Sequence, residues 1–257
     1  LQFDSSRIVS ASYDKTIKVW HFSKGKSMSD KALLTLHGHT EAINTIQFDA
    51  SRIVSGSSDG TIKIWDLNND LYRLEGHEGA CLCLQFDVSK VVTGSQDGSV
   101  KVWDMQTRQE IATMLGHTGA VNAIQFDSSS IVSGSADSTV RIWDAATRKC
   151  VHTLEGHGGA VNSIQFDTTR VVSASSDNSL KIWDKRTGQC LSTLEGHTGP
   201  VYCVAFDAIR IVSGSADGTI KVWDWDSGKC IGSLEGHTSW VQVLKMDTSR
   251  IVSGSYE

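Results

Sequence analysis

Proline occurs once in 257 residues, at Pro200, and no segment concentrates serine, glycine or charge, so the sequence offers no disordered tail or low-complexity linker. Apolar residues nowhere recur at helical spacing over a useful length, which excludes a helical bundle. The longest apolar runs are strand-length, far below the roughly 20 residues a membrane-spanning helix needs, and membrane insertion is not expected. Basic residues do not cluster either. With a formal net charge of −5, the chain lacks the electrostatic footprint of a nucleic-acid-binding protein, and no nucleic acid is expected as a partner. Six cysteines are present without one Cys-x-x-Cys pair, so no metal site and no cofactor is expected.

What the chain has instead is repetition. Gly-His pairs stand at Gly38-His39, Gly76-His77, Gly116-His117, Gly156-His157, Gly196-His197 and Gly236-His237, the first two 38 residues apart and the others 40. A fixed period of that length is the mark of a repeat architecture in which each unit is one supersecondary element. The unit beginning at Gly196 reads as four short strands: Val201 to Phe206, Ile211 to Ser215, Thr219 to Trp223 and Cys230 to Leu234. Each is about five residues of period-2 alternation bounded by Asp, Gly and Ser, which predicts antiparallel strands. With 39% hydrophobic residues, such units bury a sizeable core between the faces of neighbouring sheets.

The cysteines obey the same register. Cys150, Cys190 and Cys230 are 40 residues apart, and Cys81 and Cys83 align with Val201 and Cys203. They replace aliphatic residues at repeat positions, which predicts buried, reduced thiols and a cytoplasmic or nuclear location.

Five units carry His, then Ser or Thr 16 residues on, Asp 4 further and Trp 6 further. The sets are His39, Ser55, Asp59, Trp65; His77, Thr93, Asp97, Trp103; His117, Ser133, Asp137, Trp143; His157, Ser173, Asp177, Trp183; and His197, Ser213, Asp217, Trp223. Ser, His and Asp together are the parts of a hydrolytic triad. A catalytic site, however, is built once rather than five times, and no Gly-x-Ser-x-Gly elbow presents any of these serines. No catalytic residue is therefore assigned. Two basic series also recur. Lys18, Lys63, Lys101, Arg141, Lys181 and Lys221 stand two before each Trp, where a solvated face or a pair with the following Asp is expected. Arg7, Arg52, Lys90, Arg170, Arg210 and Arg250 stand three after an Asp, where a local turn pair is expected.

The Gly-His pairs, the Trp-Asp dipeptides at Trp65-Asp66, Trp103-Asp104, Trp143-Asp144, Trp183-Asp184 and Trp223-Asp224, and the turn Asp before each Trp resemble the WD-repeat β-propellers, along the whole chain. Trp20-His21 departs from the pattern. In style the turn between the first two strands is similar to the F-box and mitochondrial-division adaptor propellers. The resemblance implies an all-β fold of four-stranded antiparallel blades. It also implies that the five sets form a hydrogen-bonded chain from turn Asp through His and Ser or Thr to Trp. An unpaired polar group buried between sheets would cost ~1 to 3 kcal/mol, so such a chain fixes register while avoiding that cost.

Aligned on the repeat, the single propeller domain 1–257 divides into a partial unit 1–37, units 38–75, 76–115, 116–155, 156–195 and 196–235, and a partial unit 236–257. This predicts seven sectors with incomplete terminal blades. The competing six-sector ring would join His237 to Ser10, Asp14 and Trp20. The first unit also has a longer third turn, whose extra residues Ser23 to Lys31 are expected to form an exposed loop open to proteolysis.

Function is expected on a surface. By the resemblance, partners bind the face carrying the Gly-His loops and the turn Asp, through residues three and five after each His and the residue before each turn Asp. Asn44, Asn122, Asn162, Tyr202 and Gln242 stand five after His, Trp240 stands three after, and Tyr13 and Tyr256 stand at turn positions. None is basic, so a phosphopeptide partner is not expected. Exposed aromatics are the usual anchors of protein interfaces, which points to a non-enzymatic scaffold binding a protein or peptide. The alternative is a substrate-receptor or regulatory domain of a multi-domain enzyme such as a ubiquitin ligase or kinase.

Overall fold

The computed structural model describes residues 1–4, 6–21, 32–66 and 71–256. The loop expected at Ser23 to Lys31 lies outside the described residues. Among the described residues all regular structure is β, in six four-stranded antiparallel sheets and one two-stranded sheet. The chain divides into two compact units, Leu1–Leu115 and Gly116–Glu257.

The second unit holds sheets spanning 121–154, 161–194 and 201–234 and the strand pair 241–255. In the sheet spanning 161–194 the strands are Val161–Phe166, Arg170–Ser175, Leu180–Asp184 and Cys190–Leu194, paired in chain order. The second strand is buried from Val171 through Ser175 because neighbouring sheets cover both its faces, and its residues are accordingly β-branched or small. The fourth strand is the outer edge and is exposed at Cys190, Leu191 and Thr193. Sheets pack face to face. Val132, Val140, Ile142 and Leu154 of one meet Val161, Ile164, Phe166, Val171 and Trp183 of the next. The approach is close enough at Gly214 that an added Cβ would lie 2.5 Å from Val241 Cγ1, so only glycine fits there.

The first strand is not a regular one. Val161 pairs with Ser175 and Ser163 with Ala174, which leaves Asn162 as the extra residue of a bulge. The same step skips Asn122, Tyr202 and Gln242 in their sheets, and Asn44 in the first unit. A bulge re-aims the side chain it carries. All five residues expected five places after a histidine at the binding face are therefore bulge residues.

The first unit repeats the plan with sheets over 2–37, 43–74 and 81–114. Its initial strand is only Gln2–Phe3. Val9, Ile17 and Val19 pack against Ile43, Ile46, Ile53 and Trp65 of the following sheet.

Two expectations need correction. Cys81, Cys83 and Cys203 are buried, but Cys150, Cys190 and Cys230 are exposed. The latter three open the fourth strand, the solvent edge of each sheet, where repeat register does not imply burial. The basic residues two before Trp are neither fully solvated nor paired with the following Asp. Lys63 and Lys101 are buried, and Lys101 Nζ reaches across to Glu110 Oε2 at 2.8 Å and Thr113 Oγ1 at 2.6 Å. Lys181 likewise donates to Thr193 Oγ1. The turn series does pair locally, Arg7 with Asp4, Arg52 with Asp49 and Lys90 with Asp87, at 2.8, 2.9 and 2.7 Å.

Candidate functional site

Antiparallel order puts the Gly-His loop, the turn between the second and third strands and the end of the fourth strand at one end of each of the five sheets over 43–74, 81–114, 121–154, 161–194 and 201–234. The His-Ser-Asp-Trp sets sit beneath that end. In the unit's sheet at 121–154, Trp143 Nε1–H donates to Ser133 Oγ at 2.9 Å, His117 Nε2 lies 2.8 Å from the same hydroxyl, and His117 Nδ1 lies 2.9 Å from Asp137 Oδ2. A carboxylate only accepts, so Nδ1 carries the proton and Nε2 accepts from the serine. Each group then donates once along a directed chain, Trp to Ser to His to Asp. The geometry recurs in His157, Ser173, Asp177 and Trp183 and in His197, Ser213, Asp217 and Trp223. In the first unit it recurs in His39, Ser55, Asp59 and Trp65, and in His77, Thr93, Asp97 and Trp103.

The terminal sheets hold fragments of it. Trp20 Nε1 donates to Ser10 Oγ at 3.0 Å, while His237 Nε2 contacts Ser253 Oγ at 2.8 Å in its own strand pair. His237 is thus engaged by the serine of its own strand pair.

Burial lowers the pKa of all five tetrad histidines, although the hydrogen bond to Asp opposes it. The aspartates shift down as well. Burial pushes Asp137 up, but hydrogen bonds from Thr139, His117 and the Thr118 N–H outweigh it and hold the carboxyl down at about 2. Asp177 and Asp217 are held at about 2 in the same way, led by Ser179 and Thr219 after the burial effect. At neutral pH each tetrad therefore combines a neutral imidazole with a carboxylate. Its His–Asp contact is a hydrogen bond to an anion rather than an ion pair.

Sequence reasoning missed the fifth member. Thr139 Oγ1–H donates to Asp137 Oδ1 at 2.7 Å, and Thr61, Ser99, Ser179 and Thr219 do the same to their turn aspartates. The signal was a Ser or Thr two after every turn Asp. Ser133 is wholly buried and already bonded to both Trp143 and His117, so no substrate reaches its hydroxyl. Among the described residues no cluster of His, Cys, Asp or Glu is arranged to hold a metal ion, and no helix is long and apolar enough to cross a membrane.

Above the tetrads, the second unit gathers three aromatic rings. Trp240 lies between Tyr202 and Tyr256, with ring centroids 5.8 and 6.5 Å away. Trp240 is 50% exposed and Tyr256 61%, and Tyr202 is half-buried. The bulge at Tyr202 turns that ring out of the pleat, and Trp240 ends the Gly-His loop before the buried Val241. Gln242 is half-buried at the next bulge. In the first unit Tyr13 is 75% exposed on its turn.

The asparagines behave differently. Asn122 Nδ2 donates to Val161 O and Asn162 Nδ2 to Val201 O, both at 3.0 Å, and in the first unit Asn44 Nδ2 donates to Cys81 O at 3.1 Å. Each spends its amide N–H on the first strand of the following sheet. A second bridge was not foreseen. Gln165 accepts from Phe206 N at 2.9 Å and donates to Phe206 O at 3.1 Å, and Gln47 spans to Phe86 likewise.

Residues 1–21, 30–66, 68–104, 108–144, 148–184 and 188–224 match the family described as "WD domain, G-beta repeat", and the chain belongs to this WD40 family. Its all-β fold class is that of the WD-repeat β-propellers. Among solved structures it is similar to the crystal structure of the computationally designed Ika8 protein, at 40% identity and a TM-score of 0.89, over 99% of this chain and 79% of that one. No curated protein matches the sequence.

Proposed function

We propose that this chain is a non-enzymatic scaffold that binds a protein segment on the Gly-His end of its sheets. WD40 domains are in general protein-interaction scaffolds. The observation that carries the reading here is the ring cluster of Tyr202, Trp240 and Tyr256, large and half-exposed where isolated surface aromatics would be ordinary. Each ring buried by a partner contributes on the order of 1 to 3 kcal/mol. Gln242 and Tyr13 would extend the contact at the same end of the sheets in their respective units, whereas Asn44, Asn122 and Asn162, whose amides clamp the next sheet, would add less. A substrate-receptor domain would use this surface too, and differs only in what it is joined to. Cytoplasm or nucleus is the proposed location, on the strength of thiols buried at Cys81, Cys83 and Cys203 and exposed at three further positions.

The test is affinity purification on the full chain, its Trp240→Ala variant and an Arg250→Ala control from the opposite end, with captured proteins quantified by mass spectrometry. A partner retained by the parent and Arg250→Ala should weaken tenfold or more on Trp240→Ala, and less on Asn122→Ala. Partners indifferent to Trp240→Ala but lost with Arg250→Ala would place binding at the other end.

A further inference from the structure

The loops and turns at the Gly-His end of the second unit carry charge of one sign. Residues 116–120, 136–139, 155–160, 176–179, 195–200, 216–219 and 235–240 contain Asp137, Glu155, Asp177, Glu195, Asp217 and Glu235 and no Lys or Arg. The glutamates are exposed. The aspartates are ionised beside neutral histidines, so no cation within the tetrad offsets them. Arg170 pairs with Asp167 and Lys185 with Asp127 at the other end. Arg141 and Lys181 approach the loops at Gly116 and Gly156, and with Lys221 they offset three of the six carboxylates, which leaves this end acidic. The first unit shows the same bias, with Asp14, Glu41, Asp59, Glu75, Glu78 and Asp97 against Lys15 in the corresponding segments.

The aromatic cluster sits within this acidic end. Tyr202 follows Val201, which pairs with Ser215 two residues before Asp217, and Ala216 N donates to Pro200 O at 2.8 Å. An indole and two phenol rings, part exposed in a field of negative sign, attract a cation to the ring face and repel an anion. Both oxygens of Asp217 are already occupied by Thr219, Thr198 and His197, so the carboxylate acts through its field rather than as a bidentate partner. That favours a side chain held by stacking. The molecule holds arginine in this way, with Arg170 Cζ 3.8 Å above the Trp225 ring and, in the first unit, Arg108 Cζ 3.2 Å above Tyr72.

We propose that the segment bound at this surface is cationic and that its leading contact is a basic side chain, arginine before lysine, laid across the Trp240 indole. The inference rests on the docking surface proposed above and adds the chemistry of its occupant. Its test is selection of a phage-displayed random dodecapeptide library on the full chain, followed by titration of the selected synthetic peptides. The variants are Trp240→Ala, Trp240→Phe and the surface double change Glu195→Lys/Glu235→Lys, each checked by its thermal melt. Expected are peptides enriched in arginine and lysine that lose tenfold or more on Trp240→Ala, keep most affinity on Trp240→Phe, and weaken several-fold on Glu195→Lys/Glu235→Lys and in added salt. Peptides that need Trp240 but are acidic or uncharged would overturn the cationic assignment and leave the surface standing. Peptides indifferent to Trp240→Ala, or a library that yields none, would overturn both.

Discussion

At the scale of single residues, the tetrad is a directed relay in which each hydroxyl and imidazole both gives and receives a proton bond. Removing one member strands the next. Asp177→Ala and His157→Ala are each expected to destabilise the fold by roughly 1 to 3 kcal/mol, and the double variant by clearly less than their sum. Strict additivity in urea melts would show that the two side chains do not act as one chain. The same groups set the pH dependence. Folded-state pKa values of the five histidines are depressed below the ordinary 6.5, so the unfolded chain takes up protons first and stability falls as pH drops through 6.5. The aspartates extend the loss, from the ordinary 3.8 down towards about 2. On the alkaline side, burial raises the Cys203 thiol to about 12 against an ordinary 9.0, so stability declines again above pH 9. The urea midpoint should be highest between about pH 7 and 8.5. A midpoint that rises from pH 7 to pH 5 would contradict the neutral-histidine assignment. The spacing of His, Ser, Asp and Trp was legible in the sequence because it recurs five times. Which imidazole nitrogen faces which partner was not, since that depends on how loop and turn converge.

At the scale of elements, the four strands per unit and their order followed from period-2 alternation between turn residues. The bulge did not. Nothing in Val161-Asn162-Ser163 says that Asn162 lacks a partner, because a skipped position is a property of the pair of strands. This is why Asn122 and Asn162 read as open rim residues, whereas their amides clamp the next sheet. Gln165 acts as an added ladder rung between sheets. Gln165→Ala leaves the half-buried Phe206 N–H without its acceptor and should cost roughly 1 to 3 kcal/mol. Its exchange with deuterium should accelerate, while Gln189→Ala in an exposed turn should stay within about 0.5 kcal/mol of the parent. Equal effects of the two changes would mean that Gln165 does not hold the sheets together. The error over Cys150, Cys190 and Cys230 has the same origin, since register identifies a position in the repeat and not the depth of the strand that carries it.

At the scale of the whole molecule, period and family were legible from the Gly-His and Trp-Asp pairs, and the acidic bias of the Gly-His loops and turns could be counted from the sequence. The grouping of Tyr202, Trp240 and Tyr256 could be placed only roughly, because Tyr256 reaches the cluster through the pairing of Val241 with Ser255. The bridge from one sheet to the next has a further consequence. Gln125 to Phe166 and Gln165 to Phe206 are the same contact, 2.8 and 2.9 Å, made by near-identical sheets. This contact could form equally with a neighbour's neighbour or with the matching sheet of another chain. The bridge therefore contributes nothing to correct order, which leans on covalent succession and on the sequence of emergence during synthesis. Refolding from denaturant at rising protein concentration should accordingly yield exchanged dimers and larger species on a sizing column, and dilution during refolding should suppress them.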